Sequence, residues 1–315
     1  MIMNNKVRKI NPVVAASWNQ LGSVKTPKPW YKRKRGYVIL LLIGSLIWAY
    51  SVLELRVSDG VMQASLGENA LGINAEVHYF NDGNHKLRYV EIGKDSLPLV
   101  VFIHGAPSSS NFWNRFMKDS RLLNKAKMLA VDRPGYGFSN FGNADTSVES
   151  QAALIADLIR QVRHKHQRII VYGSSYGGTV AARIAMDYPE LVDGLVLQSA
   201  SVEPGREKTF WISYPTTHWA LRWLVPPAFD VANAEKLSHH LQLEKMRTGW
   251  RRILAPTIIL HGTADDLIYP SNAYYACDQL VNSKAVEMIM VKGKAHDLLW
   301  TAPELLVKSL LKMLN

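Results

Sequence analysis

The chain holds a single cysteine, Cys277, in 315 residues. No intrachain disulfide can form, and no Cys-based zinc finger or iron–sulfur cluster can be built. Cys277 itself lies in a helical stretch with no base at fixed spacing and is expected as a small buried hydrophobe. No internal repeat is evident, and there is no H-E-x-x-H to put two zinc ligands on one helical turn. His239-His240 and His164-x-His166 are expected at the surface rather than on a metal. Acidic residues are missing from the first 35 positions, which carry nine Lys and Arg. The other 280 positions hold 28 basic and 26 acidic residues, so the formal charge of +11 is concentrated in that segment. A nucleic-acid partner needs a basic face on the folded body, and a nearly neutral body offers none. At 48% apolar and 20% charged, the composition excludes disordered, collagen-like and disulfide-scaffold classes.

Charge is also missing from Gly36 to Leu53, an 18-residue run reading GYVILLLIGSLIWAYSVL. As a helix it would span about 27 Å, close to the roughly 30 Å hydrocarbon core of a bilayer. Trp48 and Tyr50 stand near its far end, where interfacial aromatics are common, and Lys32, Arg33, Lys34 and Arg35 abut its near end. This pattern predicts an uncleaved membrane anchor over 36–53. Its basic, Pro-containing tail (1–35) is expected to be disordered on the cytoplasmic side, with the C-terminal domain outside. A cleaved signal peptide shares the basic start and apolar centre, but Ala49-Tyr50-Ser51 is a poor cleavage site and the basic region is unusually long. A buried core helix conflicts with the flanking KRKR and the lack of a polar face. A nuclear-localisation reading of Lys32–Arg35 conflicts with the apolar run beside it.

From about residue 70 strands alternate with helices. Residues 73–80 and 86–92 alternate apolar and polar around Asn81-Asp82-Gly83-Asn84, a hairpin signal. Short apolar runs at 99–103, 128–131, 169–172, 195–197, 257–260 and 286–291 fit strands of a parallel sheet covered on both faces. Helical patterns fill 147–166, 176–188, 271–280 and 303–314. The expectation is a doubly wound, mostly parallel α/β sheet. Residues 201–252 break the rhythm with Phe210, Trp211, Tyr214, Trp219, Trp223, Phe229 and Trp250 among four prolines. An insertion of this length is expected to be a helical cap over the carboxyl ends of the strands. The core then falls into two parts, 54–200 and 253–315, on either side of the cap.

Gly173-Ser174-Ser175-Tyr176-Gly177 follows one apolar run and opens a helix, which is G-x-S-x-G in its strand–turn–helix setting. A nucleophile on so tight a turn needs glycine on both sides, where the chain passes close. The N–H of Tyr176 can then donate to a developing oxyanion. A second donor is expected from the N–H of Ala106 in His104-Gly105-Ala106-Pro107, since Pro107 has none. His104 is read as structural rather than as the base; with Trp211, Tyr214 and Trp219 it is also a candidate to touch substrate. Strand 257–260 ends in His261-Gly262-Thr263-Ala264-Asp265-Asp266, and strand 286–291 ends in Lys292-Gly293-Lys294-Ala295-His296-Asp297. Loops after parallel strands meet at one edge, so His296 can serve Ser175 as base and Asp265 can orient His296. Asp266 and Glu203 stay open as alternative acids. Asp132 is read as a turn and packing residue, and Asp297 as facing solvent.

With HGAP (104–107), DRPGYGFS (132–139), GSSYG (173–177), HGTADD (261–266) and GKAH (293–296) in order, the chain resembles the α/β-hydrolase superfamily over about residues 73–315. The resemblance implies hydrolysis of an ester or related acyl bond through an acyl-enzyme, with no cofactor; with no ligand motif in the sequence, no metal is expected either. Members with an aspartate nucleophile open epoxides or displace halide, and Ser175 argues against that chemistry here. Acyl transfer, thioester cleavage, C–C bond hydrolysis and peptide-terminal cleavage use the same triad and stay open. A non-catalytic binding protein on this fold is a further alternative. The expected partners are an apolar small-molecule acyl substrate and a membrane. Lack of an N-x-S/T sequon and of paired cysteines fits a bacterial periplasm better than a eukaryotic secretory lumen.

Overall fold

The computed structural model describes residues 28–32, 34–53, 55–83, 85–164, 167–209 and 211–315. Outside the described residues lie positions 1–27 and Arg33 of the expected tail, and Asn84 of the expected turn. Lys165 and His166 at the end of the expected helix 147–166, Phe210 of the insertion and Glu54 lie outside them too.

Helix α1 (Lys34–Val52) begins with Lys34 and Arg35 and covers the charge-free run as far as Val52. Tyr37, Val38, Ile39 and Leu40, successive residues that point to different sides of the helix, are 60%, 56%, 48% and 47% exposed, so its apolar surface continues around the helix. Length and composition suffice to cross a membrane, with a mean hydropathy of 1.6.

Residues 52–315 form a separate unit. Its sheet has the order β1-β2-β4-β3-β5-β6-β7-β8. The strands are β1 (Ala75–Asn81), β2 (Lys86–Ile92), β3 (Leu99–Ile103), β4 (Lys127–Val131), β5 (Ile169–Ser174), β6 (Gly194–Gln198), β7 (Thr257–Gly262) and β8 (Val286–Val291). The first two form an antiparallel hairpin, β2 runs antiparallel to β4, and all later pairings are parallel. Every residue of β3 to β7 is buried, which is why these segments read as unbroken apolar runs. Edge strand β8 is only partly buried along its length.

Alternation within the strands sends side chains to two cores. Val101, Ile103, Val171, Leu195, Leu197 and Ile259 pack with α3 (Val148–Val162), α4 (Tyr176–Asp187) and α6 (Ser271–Gln279). On the opposite face Val100, Phe102, Ile170, Tyr172, Val196 and Leu260 meet Trp113, Phe116 and α7 (Pro303–Leu314). Ser147 caps α3 by accepting the Ser150 N–H at 3.2 Å. This helix stops at Val162, short of the expected residue 166. An unexpected helix, α2 (Asp59–Gly67), precedes the hairpin and buries Met62 and Leu66 in the second core. Between β6 and β7 the long insertion carries α5 (Pro227–Met246) and several short helical turns.

Alpha-helix α5 is tied to the sheet by a buried ion pair. Arg133, just after β4, and Glu235, on α5, are both fully buried and meet at 2.5 Å. Tyr136 Oη donates to Glu235 at 2.7 Å and Gln151 Nε2 at 2.9 Å, while Arg133 also donates to the carbonyls of His104 and Gly105. One guanidinium thus joins the loop after β3, the loop after β4, helix α3 and the insertion. A buried charge loses hydration and is tolerated only when its lone pairs and protons are met, as they are here. Glu235→Ala removes the counter-charge and strands the guanidinium. Unfolding free energy should fall by about 3–5 kcal/mol, measured by chemical denaturation; a loss below about 1 kcal/mol would show that the pair does not hold the insertion.

Candidate active site

Sheet order reverses around β3, whose neighbours β4 and β5 lie on opposite sides. Such a switch point opens a crevice at the carboxyl ends of the strands. The parallel register places Ile103 beside Gly173 and Val131, and Gly262 beside Val291. The loops holding residues 104–107, 132–139, 174–177, 263–266 and 292–297 therefore emerge from one edge.

Ser175 occupies the turn between β5 and α4 with φ 54° and ψ −123°, a strained backbone for a residue with a side chain. Two glycines permit the turn. A Cβ on Gly177 would lie 2.3 Å from the Ile103 carbonyl oxygen, and one on Gly173 would lie 2.3 Å from that of Gly177. The loop after β3 presses against the same turn, since a Cβ on Gly105 would sit 2.9 Å from Ser175 Cβ. Tyr176 is the first residue of α4, so its N–H has no acceptor within the helix. Both Tyr176 and Ala106 line a cavity of about 540 Å³ together with Ser175.

His296 Nδ1 and Asp265 Oδ2 are 2.8 Å apart. A carboxylate only accepts, so Nδ1 carries the proton and Nε2 is left as the free acceptor. Burial alone would raise the Asp265 carboxyl. Hydrogen bonds from His261, His296 and the Ile268 N–H overcome this and hold it well below the ordinary carboxylate range. Ser175 and His296 make no direct hydrogen bond in this structure; such contacts are often long until substrate binds. Of the alternative acids, Asp266 is exposed beside Lys208, and Glu203 forms an ion pair with Arg206. Asp265 is the carboxylate on His296.

Four residues expected against substrate lie elsewhere. His104 is fully buried; its Nε2 accepts the Arg133 N–H at 2.9 Å and its Nδ1 donates to the Gly105 carbonyl at 2.7 Å, so it holds the loop rather than the substrate. Burial and the nearby guanidinium keep it neutral. Trp211, Tyr214 and Trp219 are 79%, 63% and 82% exposed and do not line the Ser175 cavity. Trp219 lines a separate open cleft with Trp223. Phe229, by contrast, does line the cavity. Asp132 is buried and accepts the N–H groups of Ser110 and Phe138. Asp297 is exposed, and Cys277 only partly buried.

His239 overturns its expectation as a surface residue: it is buried and lines the cavity. Its Nε2 donates to the Ser201 carbonyl at 3.1 Å, and its ring packs 4.7 Å from that of Tyr176. The Arg133 guanidinium also lies over the Tyr176 ring, 4.7 Å from its centre. The spacing of Ala228, Val231, Glu235, His239, Gln242 and Met246 follows a helical stripe, so the buried Glu and His were visible in principle as polar members of an inward face. His261, to which the sequence assigns no role, is buried and reaches the Ile268 carbonyl at 2.9 Å, bracing the loop of Asp265.

The sequence profile of the alpha/beta hydrolase family matches residues 100–309. The chain belongs to the alpha/beta hydrolase family. This hydrolase is 33% identical over 113 residues to an epoxide hydrolase of Caenorhabditis elegans, covering 35% of this chain and 27% of the other. It is 24% identical over 284 residues to a proline iminopeptidase of Pestalotiopsis fici, covering 74% and 98%. The leading curated relatives are spanned over only 27% and 53% of their own lengths. Among solved structures, a membrane phospholipase A, a bacterial virulence factor, superposes with a TM-score of 0.62 at 22% identity over 89% of this chain and 96% of its own. At that identity the likeness is one of fold.

Burial holds His239 down at about 3, with the nearby Lys236 ammonium adding to the effect. A free imidazole titrates near 6.5. Between these values the unfolded chain binds the additional proton, so stability is fully present above pH ~6.5 and falls as pH drops toward ~3. His104 acts in the same direction. His239→Gln keeps a donor for the Ser201 carbonyl and removes the titration; its stability should fall less steeply than the wild type's across that range in urea titrations. Parallel curves would show that His239 is not held neutral by the fold.

Proposed function

We propose that the hydrolase is a membrane-anchored serine hydrolase that cleaves a carboxylic ester or related acyl bond of a fairly apolar small molecule or lipid. The observation that carries this reading is the strained Ser175 turn, with Tyr176 and Ala106 lining the same cavity and the hydrogen-bonded His296–Asp265 pair at the same sheet edge. Ser175 Oγ attacks the acyl carbon while its proton passes to His296 Nε2. The carbonyl oxygen takes up negative charge and accepts the N–H groups of Tyr176 and Ala106. The tetrahedral adduct collapses, the C–O bond breaks, and the leaving alcohol takes the proton from His296. Water, deprotonated by the same histidine, then attacks the acyl-serine and releases the acid. Asp265 stays ionised throughout and stabilises the imidazolium. Leu224, Phe229, Leu267 and Ile268 give the cavity apolar walls suited to an acyl chain.

Epoxide opening, the activity named for the worm relative, is disfavoured because the residue on the turn is a serine. A fluorophosphonate probe applied to the full chain in detergent should label Ser175 stoichiometrically, and Ser175→Ala should lose labelling and ester turnover while still folding. Asp265→Asn should lower kcat by about 10³–10⁴-fold. Turnover by folded Ser175→Ala would refute the mechanism.

The anchor reading rests on the apolar helix Lys34–Val52 and the cationic flank before it. It places the N-terminus in the cytoplasm and the catalytic unit outside, on the periplasmic side of a bacterial cell. A compartment-sensitive reporter fused after Asn315 should be active only outside the cytoplasm; cytoplasmic activity would reverse the orientation.

A further inference from the structure

Helix α5 turns one face to the Ser175 cavity, through Ala232, Asn233, Lys236 and His239. Their spacing is that of neighbours on one side of a helix. Lys236 is the one Lys or Arg among the described lining residues, set among walls that are largely apolar. No carboxylate among the described residues forms an ion pair with it. The acidic residues of α5 are paired, Glu235 with Arg133, Asp230 with Arg222 and Glu244 with Arg247, and its other lysine, Lys245, is exposed to water. Glu207 attracts the Lys236 ammonium, yet its carboxylate stands 3.6 Å from the His240 ring and accepts the Gly205 N–H. Lys208 adds repulsion, and burial pulls the Lys236 ammonium below its ordinary range. A half-withdrawn cation of this kind costs free energy that a bound counter-charge recovers.

We propose that Lys236 recognises an anionic group of the substrate, a carboxylate or phosphate set apart from the scissile ester. The substrates would then be acyl esters with an apolar portion and a negatively charged portion. The inference rests on the reading of Ser175 as nucleophile and of this cavity as its substrate site. An ammonium is a compact point charge, suited to either anion without demanding bidentate geometry. The same charge disfavours a substrate that brings its own ammonium, such as a peptide N-terminus.

The test uses the full chain in detergent and two matched ester pairs. One pair is monooleoylglycerol and monooleoylglycerol phosphate; the other is para-nitrophenyl pentanoate and para-nitrophenyl hydrogen glutarate, which differ by a terminal methyl against a carboxylate. The readout is the ratio of kcat/KM for the charged member to that for the neutral member. Lys236→Met should lower that ratio by about ten- to hundredfold in at least one pair, mainly through KM, and Lys236→Arg should restore most of it. A change confined to the phosphate pair assigns a phosphate, and one confined to the glutarate pair a carboxylate. If Lys236→Met fails to fold, Lys236→Gln serves in its place. An equal loss on both members of each pair would make Lys236 merely structural and overturn the proposal, as would an unmoved ratio in both. Either result with Ser175 still labelled by fluorophosphonate leaves the serine hydrolase standing. A wild type that takes no label and cleaves neither member refutes both readings together.

Discussion

The contact on which the site most depends is the ion pair between Arg133 and Glu235. It is buried on both sides, so neither group can fall back on water, and each binds its neighbours to the other. Arg133 holds the carbonyls of His104 and Gly105, and so the loop that carries the Ala106 N–H. Its guanidinium also covers the ring of Tyr176, whose N–H opens helix α4. Glu235 fixes the helix that brings His239 and Lys236 to the cavity. Both proposed oxyanion donors and the cavity's insertion wall therefore answer to one electrostatic contact between segments 102 positions apart. The pair contributes registry more than net stability, since desolvation offsets much of its attraction.

A second constraint is steric. Parallel strands in tight register align their carboxyl ends, and the Ser175 turn fits against the loop after β3 only because Gly105, Gly173 and Gly177 lack side chains. The backbone strain at Ser175 is held by this surrounding chain, with its N–H donating to Gln198 and its carbonyl accepting from Gly178 and Ser201.

All eight strands were legible in the sequence, β3 to β7 because buried parallel strands write themselves as apolar runs, and the β1–β2 hairpin through its alternation and turn. So were the serine turn and the positions of Asp265 and His296, since each sits at the end of such a run. Legibility failed where tertiary burial overrode local character. His239 and Glu235 look solvated as single polar residues, yet they occupy the inward stripe of α5. Trp211, Tyr214 and Trp219 look like pocket walls by composition but face outward. Short α2 gave little periodicity, and only its packing of Met62 and Leu66 under the hairpin shows why it forms. His104, placed by motif beside the nucleophile, is consumed in holding Arg133 and the Gly105 carbonyl.

The order of the parts along the chain has a consequence for biosynthesis. Ala106, Ser175 and Tyr176 all precede the insertion, whereas Asp265 and His296 follow it, and His296 hangs on the loop after edge strand β8. On the proposed roles, a growing chain thus presents the serine turn and its N–H donors well before it can present the acid–base pair. β8 pairs only with β7, so the histidine is delivered by the outermost strand of the sheet. On the proposed mechanism, the domain is chemically silent until that last pairing closes, and the onset of ester turnover would coincide with completion of the fold.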